Sequence, residues 1–146
     1  MREIKAPLPV DNFTKTLFLA GSIELGMASN WQDKIKKLLV QTDWTVLNPR
    51  REHWDPSWKQ SKENPRFREQ VEWELNAQEH ATKIIMYFDP ETKSPISLLE
   101  LGLFARSKKL TVICPQGFWR KGNVDIVCEK YGVRQLETLE KAVRVI

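Results

Sequence analysis

The stretch Lys83-Ile-Ile-Met-Tyr-Phe88, followed by Asp89-Pro-Glu-Thr-Lys-Ser-Pro-Ile-Ser-Leu-Leu-Glu-Leu-Gly-Leu-Phe-Ala105, decides the fold. Its first part is nearly all apolar, as a strand covered on both faces requires. The turn-forming Asp89-Pro90 comes next, and then an apolar, buried-looking helix. Pro95 suits the first helical position, with Ser94 as its cap. Glu100 falls inside this run, flanked by Leu98, Leu99, Leu101, Leu103 and Phe104. A carboxylate in such surroundings costs free energy unless something pairs with it. Two readings follow. If the helix starts at Ser97, Ser97-x-x-Glu100 is a capping box and Glu100 only satisfies backbone donors. In the other reading Glu100 stands at the carboxyl-end crevice of a parallel sheet, where open α/β folds bind ligands.

The rest of the chain repeats the strand-then-helix pattern. Thr16-Leu-Phe-Leu-Ala20 is a short apolar run that leads directly into Gly21-Ser22-Ile23. Ser29-x-x-Gln32 reads as a capping box opening a helix, with Trp31, Ile35, Leu38 and Leu39 at core spacing. Trp44 to Leu47 is a second strand, stopped by Asn48-Pro49. A long polar and aromatic loop, Arg50 to Asn64, precedes a helix begun by Asn64-Pro65. In that helix Phe67, Val71 and Leu75 share a face, with Trp73, Ala77 and Ala81 beside them. Leu110 to Cys114 is a fourth strand, and Gly117 to Gly122 a loop. Asn123 caps a helix that Gly132 closes. Val133 to Gln135 is a weak edge strand, and Glu137 to Val145 a last helix. Residues 1–14, with Pro7 and Pro9, read as an irregular arm.

Five such alternations predict one domain spanning 1–146, an α/β three-layer sandwich around a five-stranded parallel sheet. The expected strand order is the flavodoxin-like 2-1-3-4-5. That order gathers Gly21-Ser22, Asn48 to Trp58, Asp89 to Glu100 and Gly117 to Asn123 around one edge of the sheet.

With 23 basic and 19 acidic residues the net charge is +4, and the charges are interspersed. That is a solvated surface rather than a nucleic-acid footprint, so no nucleic-acid polymer is expected as partner. The N-terminal residues contain no long apolar segment, so neither a signal peptide nor a membrane span is expected. Cys114 and Cys128 match no zinc or redox spacing and sit in apolar patterns, which points to reduced cysteines in the cytoplasm. No Gly-x-Gly-x-x-Gly, Walker lysine or zinc cluster is present.

Asp89, the first residue past its strand, reads either as a turn-former or as a carboxylate paired with Glu100 around one pocket. Such a pair can divide the labour of glycosyl transfer, one attacking the anomeric carbon and one handling a proton at the leaving group. Gly21-Ser22 could let a ligand approach the backbone or merely allow tight packing. His53 and His80 read as isolated histidines. Trp54, Trp58 and Trp119 lie in loops, where they either cover the core or stack on a flat heterocycle.

Four blocks then carry a resemblance: Gly21-Ser-Ile23, Asn48-Pro-Arg-Arg51-x-x-Trp54, Ser94-Pro-Ile-Ser-Leu-Leu-Glu-Leu-Gly102 and Gly117-Phe-Trp-Arg-Lys-Gly-Asn-Val-Asp125. Together they resemble the nucleoside 2-deoxyribosyltransferase family, in its "like" branch, from about Thr16 to Tyr131. The resemblance implies a flavodoxin-like fold with Glu100 as the nucleophile toward C1′ of a 2′-deoxyribonucleoside, and Asp89 holding or protonating the base. It implies Gly21, Ser22, Asn48, Arg51, Trp54, Ser94 and Asn123 as substrate-binding residues, Asn123 reaching the site of a neighbouring subunit in a homo-oligomer. The implied partners are a deoxynucleoside or deoxynucleotide and a nucleobase, with no metal or cofactor. Many members carry Ala-Asp before the third strand where this chain has Ala81-Thr82, and some carry a carboxylate where Ser94 stands. Two alternatives stay open. The fold also resembles 2′-deoxynucleoside 5′-phosphate N-hydrolases, which use water as acceptor; Ser22, Ser29, Arg50, Arg51, Arg120 and Lys121 would then serve the phosphate. The third is a catalytically silent nucleotide-binding module.

Overall fold

The computed structural model describes residues 1–10, 13–23, 28–51 and 55–146. In its first half lie β1 (Arg2–Lys5), β2 (Thr16–Gly21), α1 (Trp31–Leu39), β3 (Thr45–Asn48) and α2 (Pro65–His80). The second half holds β4 (Lys83–Tyr87), α3 (Pro95–Phe104), β5 (Leu110–Ile113), α4 (Lys121–Tyr131), β6 (Arg134–Leu136) and α5 (Leu139–Val143). The strands form a single parallel sheet in the order β1-β3-β2-β4-β5-β6.

Side chains along a strand alternate between faces, and β2 shows what that requires of a central strand. Leu17 and Leu19 pack with Trp31, Ile35 and Leu39 of α1 and with Leu139 and Ala142 of α5. Phe18 and Ala20 face the other layer, with Trp73 and Ala77 of α2, Leu101 of α3, and Val124 and Cys128 of α4. Both faces are covered, so every residue from Thr16 to Ala20 is buried.

The five expected strands occur in the expected order, and a sixth is added at the edge. Arg2–Lys5 pairs with β3 in register Arg2–Thr45 to Lys5–Asn48, so the supposed irregular arm begins as a strand. Its alternation is short and carries three charges, which hid it. Helix α1 starts one residue later than the capping box would have it: Asn30 is the N-cap and accepts from the backbone N–H of Asp33. Leu38 is exposed there, on the solvent side of the helix. In α2 the buried face runs through Gln70, Trp73, Ala77 and Gln78, while Leu75 is exposed. Polar side chains therefore take part of the buried face, and the expected face of Phe67, Val71 and Leu75 is only partly covered. Asn123 sits inside α4, whose N-cap is Arg120.

Candidate active site

The chain runs from β2 outward to β3 and then crosses back over β2 to β4, which puts the topological switch point at the carboxyl ends of β2 and β4. Gly21 is needed there for strand packing. Its φ is +130°, and a Cβ would lie 2.2 Å from the carbonyl oxygen of Tyr87 in β4. Just beyond, three hydroxyls are buried together. Thr92 Oγ1 is 2.9 Å from Ser22 Oγ and 2.7 Å from Ser94 Oγ, and Ser22 Oγ also accepts from the backbone N–H of Asp89 at 2.8 Å. Ser94 occupies the N-cap position of α3 with a left-handed backbone, φ 48°, and makes no side-chain cap bond. The cap is replaced by this hydroxyl knot.

Asp89 is held by the same loops. Its carboxylate accepts from the hydroxyl and backbone N–H of Ser29, at 2.7 and 3.0 Å, and from the N–H of Glu91 at 3.1 Å. Burial pushes its pKa up, but these donors outweigh burial and hold it below the usual value. Ser29 is thus a tie between the loop before α1 and the loop after β4, not a helix cap.

Glu100 lies in the sixth position of a helix that starts at Pro95, so the capping-box reading fails. Its residue is 7% exposed, on the face of α3 turned toward α2. Gln78 of α2 donates from Nε2 to Glu100 Oε1 at 2.6 Å. The second carboxylate that bears on it is Glu74, one helical turn before Gln78. Glu74 in turn accepts from Gln70 Nε2 at 2.6 Å. Gln70 also donates to the carbonyl of Pro49 at 2.9 Å and accepts from Arg51 Nε. Residues 70, 74 and 78 make a polar ladder at i, i+4, i+8 down the buried side of α2.

The consequence is electrostatic. Burial, and then the charge of Glu74, push the Glu100 carboxyl up to about 8, with the Gln78 N–H opposing. Burial pushes Glu74 up to about 7, against its bond from Gln70 and the charge of Arg51. Neutral amides hold both carboxyls, so the pair retains protons near neutrality. A buried acid pair with split duties is what glycosyl transfer uses.

Sequence reasoning singled out Glu100 and not Glu74, the carboxylate that bears on it. The signal was available: Gln70, Glu74 and Gln78 share a helical face with Trp73 and Ala77, an odd place for three polar residues.

The other expected site residues are distributed unevenly. Asn48 is buried and committed to structure, donating to Glu3 Oε1 of β1 at 2.8 Å and accepting from the N–H of Arg50 at 3.1 Å. Arg51 pairs with Glu69 at 2.9 Å besides Gln70, so it is the outer end of the ladder. Arg50 donates to Gln32 Oε1 at 3.2 Å. Trp54 and His53 lie outside the described residues. Asn123 lines an apolar groove of about 330 Å³ between α3 and α4, with Leu98, Leu101, Gly102, Arg120, Val124 and Val127; Glu100 does not line it. Trp119 is 46% exposed and donates from Nε1 to the carbonyl of Lys93 at 2.9 Å, tying the loop after β5 to the loop after β4. Thr82 exchanges hydrogen bonds with Thr16 at the amino ends of β4 and β2. It is therefore at the end of the sheet opposite the switch point, where an aspartate would not meet the site.

Among the described residues no group of three or more His, Cys, Asp or Glu side chains is arranged to hold a metal ion. Both cysteines are free and buried.

Fold and site together define a flavodoxin-like α/β domain with a buried carboxyl pair between the two helices that flank β4. The family model described as nucleoside 2-deoxyribosyltransferase like matches residues 14–118, and the chain belongs to that family. The matched span includes Glu74 and Glu100 and stops short of Asn123. No curated protein is similar enough to the chain to count as a relative. Among the described residues, no helix is long and apolar enough to cross a membrane.

Proposed function

We propose that the protein cleaves the N-glycosidic bond of a 2′-deoxyribonucleoside and passes the deoxyribosyl group to a second nucleobase. The observation that carries this reading is the buried Glu100–Glu74 pair, in a chain of this family. In the minor protonation arrangement, with Glu100 ionised and Glu74 still protonated, Glu100 attacks C1′ as the bond to the base breaks. The electron pair of that bond leaves with the base, and Glu74 supplies the proton the base takes. A deoxyribosyl ester on Glu100 remains. An incoming base attacks C1′, the bond from C1′ to the Glu100 oxygen breaks with its electron pair returning to the carboxylate, and the base gives its proton to Glu74. Each inversion at C1′ cancels the other, so configuration is retained. No redox or metal step enters this scheme.

In this reading Asp89 organises the loops rather than transferring the proton, because its oxygens are engaged by Ser29 and Glu91. Ser22 and Ser94, joined through Thr92 at the carboxyl end of β2, brace the start of the helix that carries Glu100. Nucleosides are favoured over 5′-phosphates because three of the four cations named for a phosphate, Arg50, Arg51 and Lys121, are bonded to Gln32, Gln70, Glu69 and Asp125, and the fourth, Arg120, lies over the ring of Trp119. We read the protein as a homo-oligomer joined through α3 and α4. Ile96, Leu99 and Leu103 repeat along the exposed side of α3 at 59, 60 and 57% exposure, and Ile126 of α4 is 67% exposed. No lysine, arginine or aspartate interrupts α3. Asn123, beside that face, then meets substrate across the subunit contact.

The test is chromatography of deoxyadenosine incubated with the protein, with and without cytosine, for wild type and Glu100→Ala. Deoxycytidine formed only when cytosine is present, and abolished in a folded Glu100→Ala, is the expected result. Free adenine without exchange makes water the acceptor. Undiminished activity in Glu100→Ala rejects the nucleophile, and no release from any deoxynucleoside or its 5′-phosphate leaves only nucleotide binding.

A further inference from the structure

We infer that Gln78 is the positioning residue of this site: its amide ties down Oε1 of Glu100 and leaves Oε2 as the attacking oxygen. The inference rests on the glycosidic reading and deepens it.

Three observations carry it. The bond from Gln78 Nε2 to Glu100 Oε1 is 2.6 Å long and wholly buried, with Gln78 at 0% exposure. A single donor on one oxygen of a carboxylate fixes the plane of the group and distinguishes its two oxygens. Second, the other end of the same amide, Gln78 Oε1, finds no hydrogen-bond partner among the described residues. Burying an acceptor unpaired is costly, and in a native fold such an atom asks for an explanation.

The third observation is the contrast with Gln70, one ladder position removed. Gln70 uses both ends of its amide, donating to Glu74 and Pro49 and accepting from Arg51. That is how a glutamine cross-links structure. Gln78 makes one bond among the described residues, from α2 to Glu100 of α3, and leaves its carbonyl oxygen buried without a partner. A leucine or methionine would fill the same volume without the unpaired oxygen, so the amide is there for Glu100.

The charged group facing Glu100 among the described residues is Glu74 of α2, and Arg51 bears on Glu74. Glu74 raises the proton affinity of Glu100, and the Gln78 N–H lowers it. Without the donor, the proton affinity of Glu100 rises further above that of Glu74, and the productive arrangement, Glu100 ionised and Glu74 protonated, becomes scarcer.

The experiment is the pH dependence of kcat and KM for base release, wild type against Gln78→Met, with circular dichroism and melting curves as fold controls. Peak kcat should fall by roughly tenfold for each pH unit by which the proton affinity of Glu100 rises. The pH optimum should move upward, with KM changed less than kcat. A glutamine that merely stabilised the fold would lower the whole profile without displacing it, and that outcome, or an unchanged profile, overturns the inference while leaving the glycosidic reading in place. A wild type that releases no base at any pH rejects that reading itself, and the role of Gln78 with it. If Gln78→Met does not fold, Gln78→Asn takes its place. It keeps the polarity but is one methylene short of Glu100, and the same upward displacement is expected.

Discussion

Glu100 and Glu74 are buried carboxyls held by amides, and this has a consequence for stability as well as for chemistry. Both have folded-state pKa values above the ordinary glutamate value, at about 8 and about 7. The native state therefore keeps protons that the unfolded chain releases above about pH 4.5. By linkage, stability falls as pH rises through the window from about 4.5 to about 8, and the full cost is present above it. Glu100→Gln removes one of the two protons without changing shape. The variant should be more stable than wild type at pH 9, by roughly 1–3 kcal/mol, and nearly equal at pH 4.5. Melting curves at the two pH values check this. A Glu100→Gln that melts lower than wild type at pH 9 would mean that the carboxylate is paired with a cation after all.

At the scale of the element, the site depends on α2 more than on the apolar helix that first drew attention. One helix supplies Gln70, Glu74, Gln78 and the packing of Trp73 and Ala77. Its start is set by Asn64, whose side chain accepts from the N–H groups of Arg66 and Phe67 at 3.1 and 3.3 Å, with Pro65 in the first turn. Asn64→Ala should cost about 1 kcal/mol, a drop in Tm of about 4 °C. The pH optimum of base release should not move, because the cap is three turns away from Glu74. A loss of activity far beyond the loss of stability would show that the start of α2 also shapes the pocket. Helix α3, by contrast, has a weak start: its N-cap serine is spent on the hydroxyl knot with Ser22 and Thr92. The knot anchors that helix to the end of β2, and so sets how far Glu100 stands from the switch point.

Across the whole molecule, the unpartnered side of the sandwich lies on α3 and α4. Burying Ile96, Leu99, Leu103 and Ile126 against a second subunit would remove a continuous apolar stripe from water. Leu99→Lys places a charge in the middle of it. Light scattering with size-exclusion chromatography should show an oligomer for wild type and a smaller species for Leu99→Lys, with base release reduced if Asn123 acts across the contact. A wild-type monomer at tens of micromolar would remove the subunit contact and the role of Asn123 together.

What was readable from residues alone had local causes. Strand order followed from apolar runs alternating with helices, because a buried parallel strand has no freedom to be polar. Glu100 was conspicuous because one carboxylate in a leucine-rich run contradicts its surroundings. Edge strand β1 was not readable, since its few residues are stabilised by pairing with β3 rather than by their own pattern. Glu74 was hidden for a related reason. Helix α2 also carries Glu69, Glu72 and Glu79, and the face that Glu74 shares with Gln70, Gln78, Trp73 and Ala77 points to it without saying that this face is covered. Only the packing of α2 against the sheet and α3 decides it, because burial belongs to the contact between elements and not to either one. Sequence by itself determined the layers of the sandwich and the one acid at odds with its neighbours. Tertiary structure chose its neighbour, since one carboxyl raises the proton affinity of another only where two helices bring both into one low-dielectric space.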